Sequence, residues 1–577
     1  MNALLLALNA KYTHSNIAVR YLQKYAAPYL SQPPQILELT INNRLDFVLA
    51  EIFRRSPDLL FFSTYIWNVS MVRSLAVEYR KLCPHTIIGA GGPEVTYESE
   101  SFLRQNPAFD LVIRGEGEET VRQLLAAEEA GVSWRTLPGL TVRENGGVRS
   151  NPPQKPLDLG TLPFPYAADF SDAPDKIKYY ESSRGCPFQC QYCLSSVEKG
   201  VRTAPLDKVF ADLKLFLKAK VRQVKFVDRT FNCDSSRALA IWRFLRDHDN
   251  GVTNFHFEIT AELLDRQTLD FLRTIRPEQF QFEIGVQSTN PKTLAAIRRQ
   301  NDWDRLSAIV KEIHSFSNIH QHLDLIAGLP YEDYHSFHQS FNDVYALAPQ
   351  QLQLGFLKIL KGAGLFYDQQ KYGLISRSDP PFEVLSTPDL PYKDTLRLKA
   401  VEEMVELYYN SGRFFHTLRW LLSRMDDPFS FYQALGDRWQ TESRQYASQS
   451  LEQSYTFFYR FCADLPAVDE KKLVQFLKLD YCLHQRPKRR PDWFPGPDAA
   501  SLRRRCLLFL QQESSRTAIL PSYSETDPQY LYKLVHFEPF SLDVLTGQDR
   551  PVVLLFDYRR RDLLGNARVL PVSLPEI

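Results

Sequence analysis

The sequence predicts an α/β protein in three parts: a doubly wound, Rossmann-like N-terminal domain, a partial (βα)6 barrel, and a mainly helical α+β C-terminal domain. Three observations carry this. Short apolar runs alternate with amphipathic stretches from residue 3 to about residue 130. The alternation resumes at Tyr179 and gives six strand-like runs by Ile359, and beyond residue 378 the pattern turns helix-rich and aromatic. Strand–helix alternation implies a parallel sheet covered by helices. At 577 residues the chain is too long for one ordinary core. The expected limits are 1–130, a proline-rich linker at 131–175, 176–377 and 378–577.

Each N-terminal element follows from its local pattern. Ala3–Leu8, Ile36–Leu39, Leu59–Ser63, Thr86–Gly89 and Leu111–Arg114 read as strands. Ala18–Tyr29, Asp46–Arg55, Met71–Leu82, the stretch near Glu98–Gln105 and one beginning near Glu118 read as helices. Ligands of such sheets gather at the carboxyl ends of the strands. The polar or glycine-rich segments Asn9–Asn16, Thr64–Asn68, Gly89–Thr96 and Gly115–Thr120 fall there. Glycines 91, 92, 115 and 117 let a backbone approach a bulky ligand closely. Ordinary strand-to-helix turns use the same residues, so both readings stand. In the linker, Pro138, Pro152, Pro153, Pro156, Pro163, Pro165 and Pro174 interrupt any period, with a small hairpin expected around Gly146-Gly147.

The barrel strands are Tyr179-Tyr180, Val224–Val227, Phe255–Ile259, Phe280–Val286, His322–Ile326 and Gln353–Ile359. Catalytic groups of such barrels emerge from strand carboxyl ends. Directly after the first strand comes Arg184-Gly185-Cys186-Pro187-Phe188-Gln189-Cys190-Gln191-Tyr192-Cys193-Leu194, three of the chain's 8 cysteines in eight residues. An iron–sulfur cube normally takes four cysteines, so three with no evident fourth point to an iron left open for a ligand. A structural zinc site needs a closed set of four Cys or His ligands; the nearest downstream histidine, His256, lies in an alternating apolar segment, and no paired motif follows. Cys83, Cys233, Cys462, Cys482 and Cys506 are scattered and read as small buried hydrophobes.

Composition narrows the class. A net charge of +1 argues against a globally basic nucleic-acid binder, and 44% hydrophobic residues with 38 Phe and 28 Tyr suffice for packed interiors. No Gly-x-Ser-x-Gly elbow or P-loop is found. Ala3–Leu8 has no basic residue before it and is too short for a signal peptide or a membrane span. Without a disulfide framework, a cytoplasmic setting with no membrane is expected. The arginine groups at 486–490, 503–505 and 559–561 leave RNA as a partner that is not favoured over solvated surface.

The cysteine loop resembles that of the radical S-adenosylmethionine (SAM) superfamily. The preceding 130 residues resemble the cobalamin-binding domain fused to many members, through Gly91-Gly92-Pro93-Glu94 and Arg114-Gly115-Glu116-Gly117-Glu118-Glu119. The match covers most of residues 1–375, and the C-terminal third resembles an uncharacterised domain that accompanies such enzymes. The resemblance implies that Cys186, Cys190 and Cys193 hold a 4Fe-4S cluster whose open iron chelates SAM. An electron from a donor such as flavodoxin or ferredoxin then cleaves the sulfonium to a 5′-deoxyadenosyl radical. It also implies that Tyr192 lies against the adenine, and that Asp228, Glu283, Gln287 and Ser288 contact SAM. Ser63, Thr64, Gly91, Gly92, Glu94, Gly115, Glu116 and Gly117 would contact cobalamin. The Asp-x-His-x-x-Gly cobalt-ligand signature is absent; His14 lacks its surroundings, and Tyr65, Ile66 and Trp67 are placed to form the face beneath the corrin.

Methylation of an unactivated carbon is the expected activity. Radical rearrangement or cyclisation uses the same parts. Methylthiotransferase-like modification of tRNA or protein usually brings three further N-terminal cysteines, whereas only Cys83 precedes the loop here. His256, Glu258 and Glu262 are candidate barrel acids or bases, or interior filler.

Overall fold

A computed structural model describes residues 1–577 except 145, 168, 172, 174, 443–449, 467, 488–489, 495, 497–498, 562–564 and 576–577. Pro174, Lys488 and Arg489 therefore lie outside the described residues. Two compact units form, Met1–Gln350 with Leu354–Thr395, and Leu396–Ile577 with Gln351–Gln353.

The first unit opens with strands β1 (Ala3–Asn9), β2 (Gln35–Thr40), β3 (Leu59–Ser63), β4 (Ile87–Gly91), β5 (Leu111–Ile113), β6 (Leu140–Glu144) and β7 (Gly147–Ser150). Their spatial order is β2-β1-β3-β4-β5-β6-β7. The first five are parallel, so the order reverses between β1 and β3, where a doubly wound sheet opens a crevice at its carboxyl edge. Separate apolar layers cover the two faces, one with Leu4, Leu6, Leu60 and Phe62, the other with Leu5, Phe61, Leu111 and Leu124. Strands buried on both faces read as unbroken apolar runs, which is why they were visible in the sequence.

The expected linker is a correction in part. Its hairpin is present, but β6 pairs antiparallel with β5, and Leu140 and Val142 are fully buried. Leu140–Glu144 and Gly147–Ser150 thus complete the sheet; the flanking prolines had obscured their pairing with β5.

The second sheet of this unit has β8 (Lys178–Tyr180), then a separate two-stranded pair of β9 (Ser183–Cys186) and β10 (Gly200–Thr203), followed by β11 (Gln223–Phe226), β12 (Asn254–Ile259), β13 (Phe280–Gln287), β14 (His320–Ala327) and β15 (Gln351–Phe356). The six barrel strands run in the order β15-β14-β13-β12-β11-β8, with parallel pairing from β8 to β14. Outward-facing Phe257, Phe280 and Phe282 pack against Trp242 under the helices, and Phe226 packs against Phe257. The alternate positions Lys225, His256, Glu283 and His322 are polar and share the other face.

The second unit is helix-rich as expected, including Pro428–Thr441, Leu451–Ala463 and Glu470–His484, and ends in an antiparallel sheet of Val535–Phe540, Val552–Arg561 and Ala567–Val572. Three arginines from its basic groups serve the fold. Arg486 donates to the carbonyls of Lys533 and Tyr532, Arg505 to that of Pro575, and Arg561 to that of His484. Among the described residues no helix is long and apolar enough to cross a membrane.

Candidate functional site

The cysteine loop is a hairpin. Strands β9 and β10 pair antiparallel, with Arg184 opposite Arg202 and Cys186 opposite Gly200. Gly185 takes φ +100°, a left-handed backbone that suits glycine, and a side chain there would run into the Gly200 carbonyl. At the far end Ser196 Oγ donates to the carbonyls of Cys190 (2.8 Å) and Cys193 (2.6 Å). Gln191 N donates to Ile297 O at 2.9 Å, and Gln191 O accepts from Leu365 N at 2.8 Å. The loop is thus tied to the barrel by its backbone, leaving its three thiols unpaired with any other cysteine.

Polar groups approach two of the cysteine sulfurs. Thr230 Oγ1 lies 3.6 Å from Cys186 Sγ, and Arg299 Nη1 approaches Cys190 Sγ at 4.0 Å and Tyr192 Oη at 3.5 Å. Arg299 also donates to Gly285 O, while its buried Nε has no partner. Burial pushes the Cys190 thiol up and the guanidinium opposes it. Sequence reasoning missed Arg299, since nothing local marks a residue more than a hundred positions from the loop it meets. Tyr192 packs on Leu294, Ile297, Leu329 and Leu365, so its ring is part of an apolar cluster.

A cavity of about 430 Å³ lies over the carboxyl edge of the first sheet. Ser63, Tyr65, Gly91, Gly92, Gly115, Glu116 and Gly117 form one side; Arg184, Gly185, Leu194, Ser195 and Arg229 form the other. Gly92 has φ +112°, and a Cβ there would stand 2.5 Å from Thr64 O. Gly115, at φ +67°, has open space where a side chain would be. Glycine is thus required by close packing at Gly92 and favoured by positive φ at Gly115, and both leave backbone exposed to the cavity.

Several expected contacts sit elsewhere. Thr64 is buried and its N–H bonds Gly91 O at 2.7 Å, away from the cavity lining. Glu94 is turned to Lys361, whose Nζ donates to Oε1 at 2.5 Å. Asp228 is buried and accepts from Ser182 N (2.9 Å), Ser182 Oγ and Ser183 Oγ (2.6 Å each). Ser288 donates to the buried Glu332 at 2.5 Å. His14 Nδ1 meets Tyr179 Oη at 2.5 Å. Each pairs with a group distant in sequence, which no local pattern reveals. Cys83 and Cys233 are only partly buried, unlike Cys462, Cys482 and Cys506.

Glu283 and Gln287 lie on β13. Glu283 Oε2 accepts from Lys225 Nζ (3.1 Å) and meets His256 Nε2 at 2.9 Å; burial acts to raise the carboxyl, but these two hold it well below the usual range. Gln287 has φ +72° at an irregularity in the β13–β14 pairing, and its amide reaches back over Gly285, where a Cβ would collide with it. Glu258 faces the same interior. Burial and the nearby Glu283 push it up to about 7, against Arg229 at 3.5 Å. In the second unit Cys482, His536 and Glu538 bring ligand atoms within 4.8 Å of one another, but Lys478 (3.1 Å) and Arg490 (2.7 Å) already neutralise Glu538. That cluster is a charge-balanced core group.

Comparison with known proteins accords with this geometry. Residues 3–125 match the B12 binding domain and residues 180–344 the radical SAM superfamily. The chain thus carries a B12-binding domain and a radical SAM domain. Residues 370–556 match a protein of unknown function family, DUF4080. The chain is 25% identical over 410 residues to the cobalamin-dependent radical SAM methyltransferase TokK of Streptomyces tokunonensis, an alignment that covers 66% of this chain and 58% of TokK. The radical SAM methyltransferase TsrM of Kitasatospora setae shares the fold at a TM-score of 0.53 and 18% identity, over 66% of this chain and 80% of TsrM. The cobalamin-dependent SAM radical enzyme OxsB shares it at 0.59 and 13% identity, over 83% and 84% of the two chains.

Proposed function

We propose that this radical SAM protein is a cobalamin-dependent methyltransferase acting on an unactivated carbon, with residues 378–577 as an accessory domain. The observation that carries the proposal is the shared cavity, with the glycine turns of the B12-binding domain on one side and both flanks of the three-cysteine loop on the other. The residues fit the groups that the family implies. Three free thiols without a fourth suit an iron–sulfur cluster with one open iron, and the cradle at Gly91, Gly92, Gly115 and Gly117 admits a broad flat ligand against backbone.

Bound there, the cluster, SAM and cobalamin supply the radical-forming and methyl-donating chemistry. The chain's own residues bind, orient and exclude water. Cys186, Cys190 and Cys193 hold the cluster, and Arg299 places positive charge beside Cys190. Tyr192, Glu283 and Gln287 are assigned to SAM. Ser63, Gly91, Gly92, Gly115, Glu116 and Gly117 are assigned to cobalamin; Thr64, Glu94, Asp228 and Ser288 act one step back, by holding the turns that carry the others. A reductant such as flavodoxin or ferredoxin and a cytoplasmic setting complete the proposal, supported by unpaired cysteines that suit a reducing compartment.

Anaerobic reconstitution with iron, sulfide and hydroxocobalamin tests it. About four irons per chain, bound corrin and SAM-dependent 5′-deoxyadenosine are expected. Deoxyadenosine without corrin binding overturns the cobalamin assignment, and zinc in place of iron overturns the whole reading.

A further inference from the structure

The turn after β5 sends its carboxylates out of the B12-binding domain to the foot of the cysteine loop. Glu118 Oε1 accepts from Arg184 Nη2 at 2.8 Å, and Glu116 Oε2 lies 3.4 Å from Arg184 Nη1. Glu181 Oε2 takes the same guanidinium at 2.7 Å. Arg202, opposite Arg184 across the β9–β10 pair, also holds Glu116. The Arg184 side chain is only 16% exposed and that of Glu118 only 7%. Charge pairs this desolvated are screened little by salt.

The position of Arg184 gives the cluster of charges its consequence. It stands two residues before Cys186, and with Gly185 it forms part of the cavity wall; Leu194, Ser195 and Glu198, just beyond Cys193, form the next part. Both ends of the cysteine loop therefore face the cavity, and the clasp at Arg184 ties that wall to Glu116 and Glu118 on the opposite side.

We infer that Arg184 couples the metal centre to the corrin site, so that cluster assembly and cobalamin binding are thermodynamically linked. The inference rests on the cofactor assignments proposed above. Three sulfur ligands closing on one cluster fix the loop between residues 186 and 193, and fixing it orders the wall at both ends. The loaded loop presents a finished wall, so corrin binds more tightly to it. Reciprocity requires bound corrin to favour retention of the cluster by the same factor. Arg184 is a positioning residue in this scheme, and Glu118 is its principal anchor.

The test uses the full chain and hydroxocobalamin as the probe. Its Kd is measured by visible absorption on cluster-free protein and on anaerobically reconstituted protein, for the wild type, Glu118→Gln and Arg184→Lys. Wild-type affinity is expected to rise about fivefold or more on reconstitution, and the ratio in both variants is expected to fall toward one. Glu118→Gln lies outside the cysteine loop, so its iron content stays at the wild-type level and its result does not depend on cluster loss. A wild-type ratio of one, or an undiminished ratio in Glu118→Gln, overturns the coupling and leaves the cofactor assignments standing. Failure of both forms to bind hydroxocobalamin overturns the coupling and the corrin assignment together.

Discussion

Lys361 Nζ lies 2.5 Å from Glu94 Oε1, joining the end of the barrel sheet to the turn after β4 in the B12-binding domain. The Glu94 side chain is 4% exposed and that of Lys361 20%. Removing one partner of such a pair strands a charge, whereas removing both does not. Lys361→Met is expected to destabilise the first unit by about 2–3 kcal/mol, and Glu94→Gln with Lys361→Met to recover most of that loss. Urea midpoints of the three proteins check it; equal loss in the single and double variants would show that the pair contributes through packing alone.

Glu332 predicts a pH dependence. It is buried, its Oε1 accepts from Ser288 Oγ and Ser340 Oγ, and its carboxyl is pushed up to about 8 by that burial. Between the ordinary glutamate range and pH 8 the folded protein therefore keeps a proton that the unfolded chain has released. Stability from this group is full in acid, falls by about 1.4 kcal/mol per pH unit across that window, and is flat above it. Glu332→Gln should remove this slope, so that the variant gains on the wild type between pH 5 and 8. Denaturation at several pH values measures the difference, and parallel curves for the two proteins would refute the buried neutral acid.

The cysteine loop was legible because its spacing is local, and the strands because burial on both faces makes them continuous apolar runs; Leu59–Ser63 was read to the residue. Glu94, Asp228 and Ser288 have partners in the fold that the sequence did not show, for a common reason. Their partners, Lys361, Ser182 and Glu332, lie 267, 46 and 44 positions away. A carboxylate beside glycines looks the same in sequence whether it meets a ligand or a lysine. The β6–β7 hairpin was expected, but its pairing with β5 was hidden by proline-rich flanks, and Arg299 by the absence of any local pattern.

Cys190→Ala should leave the chain folded, since the loop is fixed by the backbone bonds of Gln191 and by Ser196. Cluster content after reconstitution is expected to fall sharply, with loss of SAM cleavage. Iron analysis, visible absorption and 5′-deoxyadenosine formation read the three effects. Retained iron with retained cleavage would remove Cys190 from the ligand set.

Gly92→Ala combines two penalties at the corrin cradle. The backbone there has φ +112°, and the added Cβ would stand 2.5 Å from the carbonyl oxygen of Thr64, a residue whose N–H is held by Gly91 O at 2.7 Å. A cost of about 1–3 kcal/mol in stability is expected, together with weaker hydroxocobalamin binding as the turn shifts. Gly131→Ala is the control, because it also has positive φ but meets nothing within 4 Å and lies away from the cavity lining. It should lose stability by backbone strain without changing corrin affinity, and a matching loss of affinity would deny Gly92 its place in the cradle.

Tyr65 is the aromatic side chain best placed to meet a corrin from the β3 side. It lines the cavity, and its ring stacks on Trp67 at 4.3 Å and 8°, while Trp67 Nε1 donates to Leu8 O at 3.1 Å. The indole thus braces the phenol from behind, at the β1–β3 switch point. Tyr65→Ala removes that face and is expected to weaken hydroxocobalamin binding about tenfold, which corresponds to about 1.4 kcal/mol. Tyr65→Phe keeps the ring and separates its two roles. If the phenyl surface alone matters, affinity and the absorption spectrum of the bound corrin both stay as in the wild type; a changed spectrum at unchanged affinity would instead assign the hydroxyl to the metal's lower face.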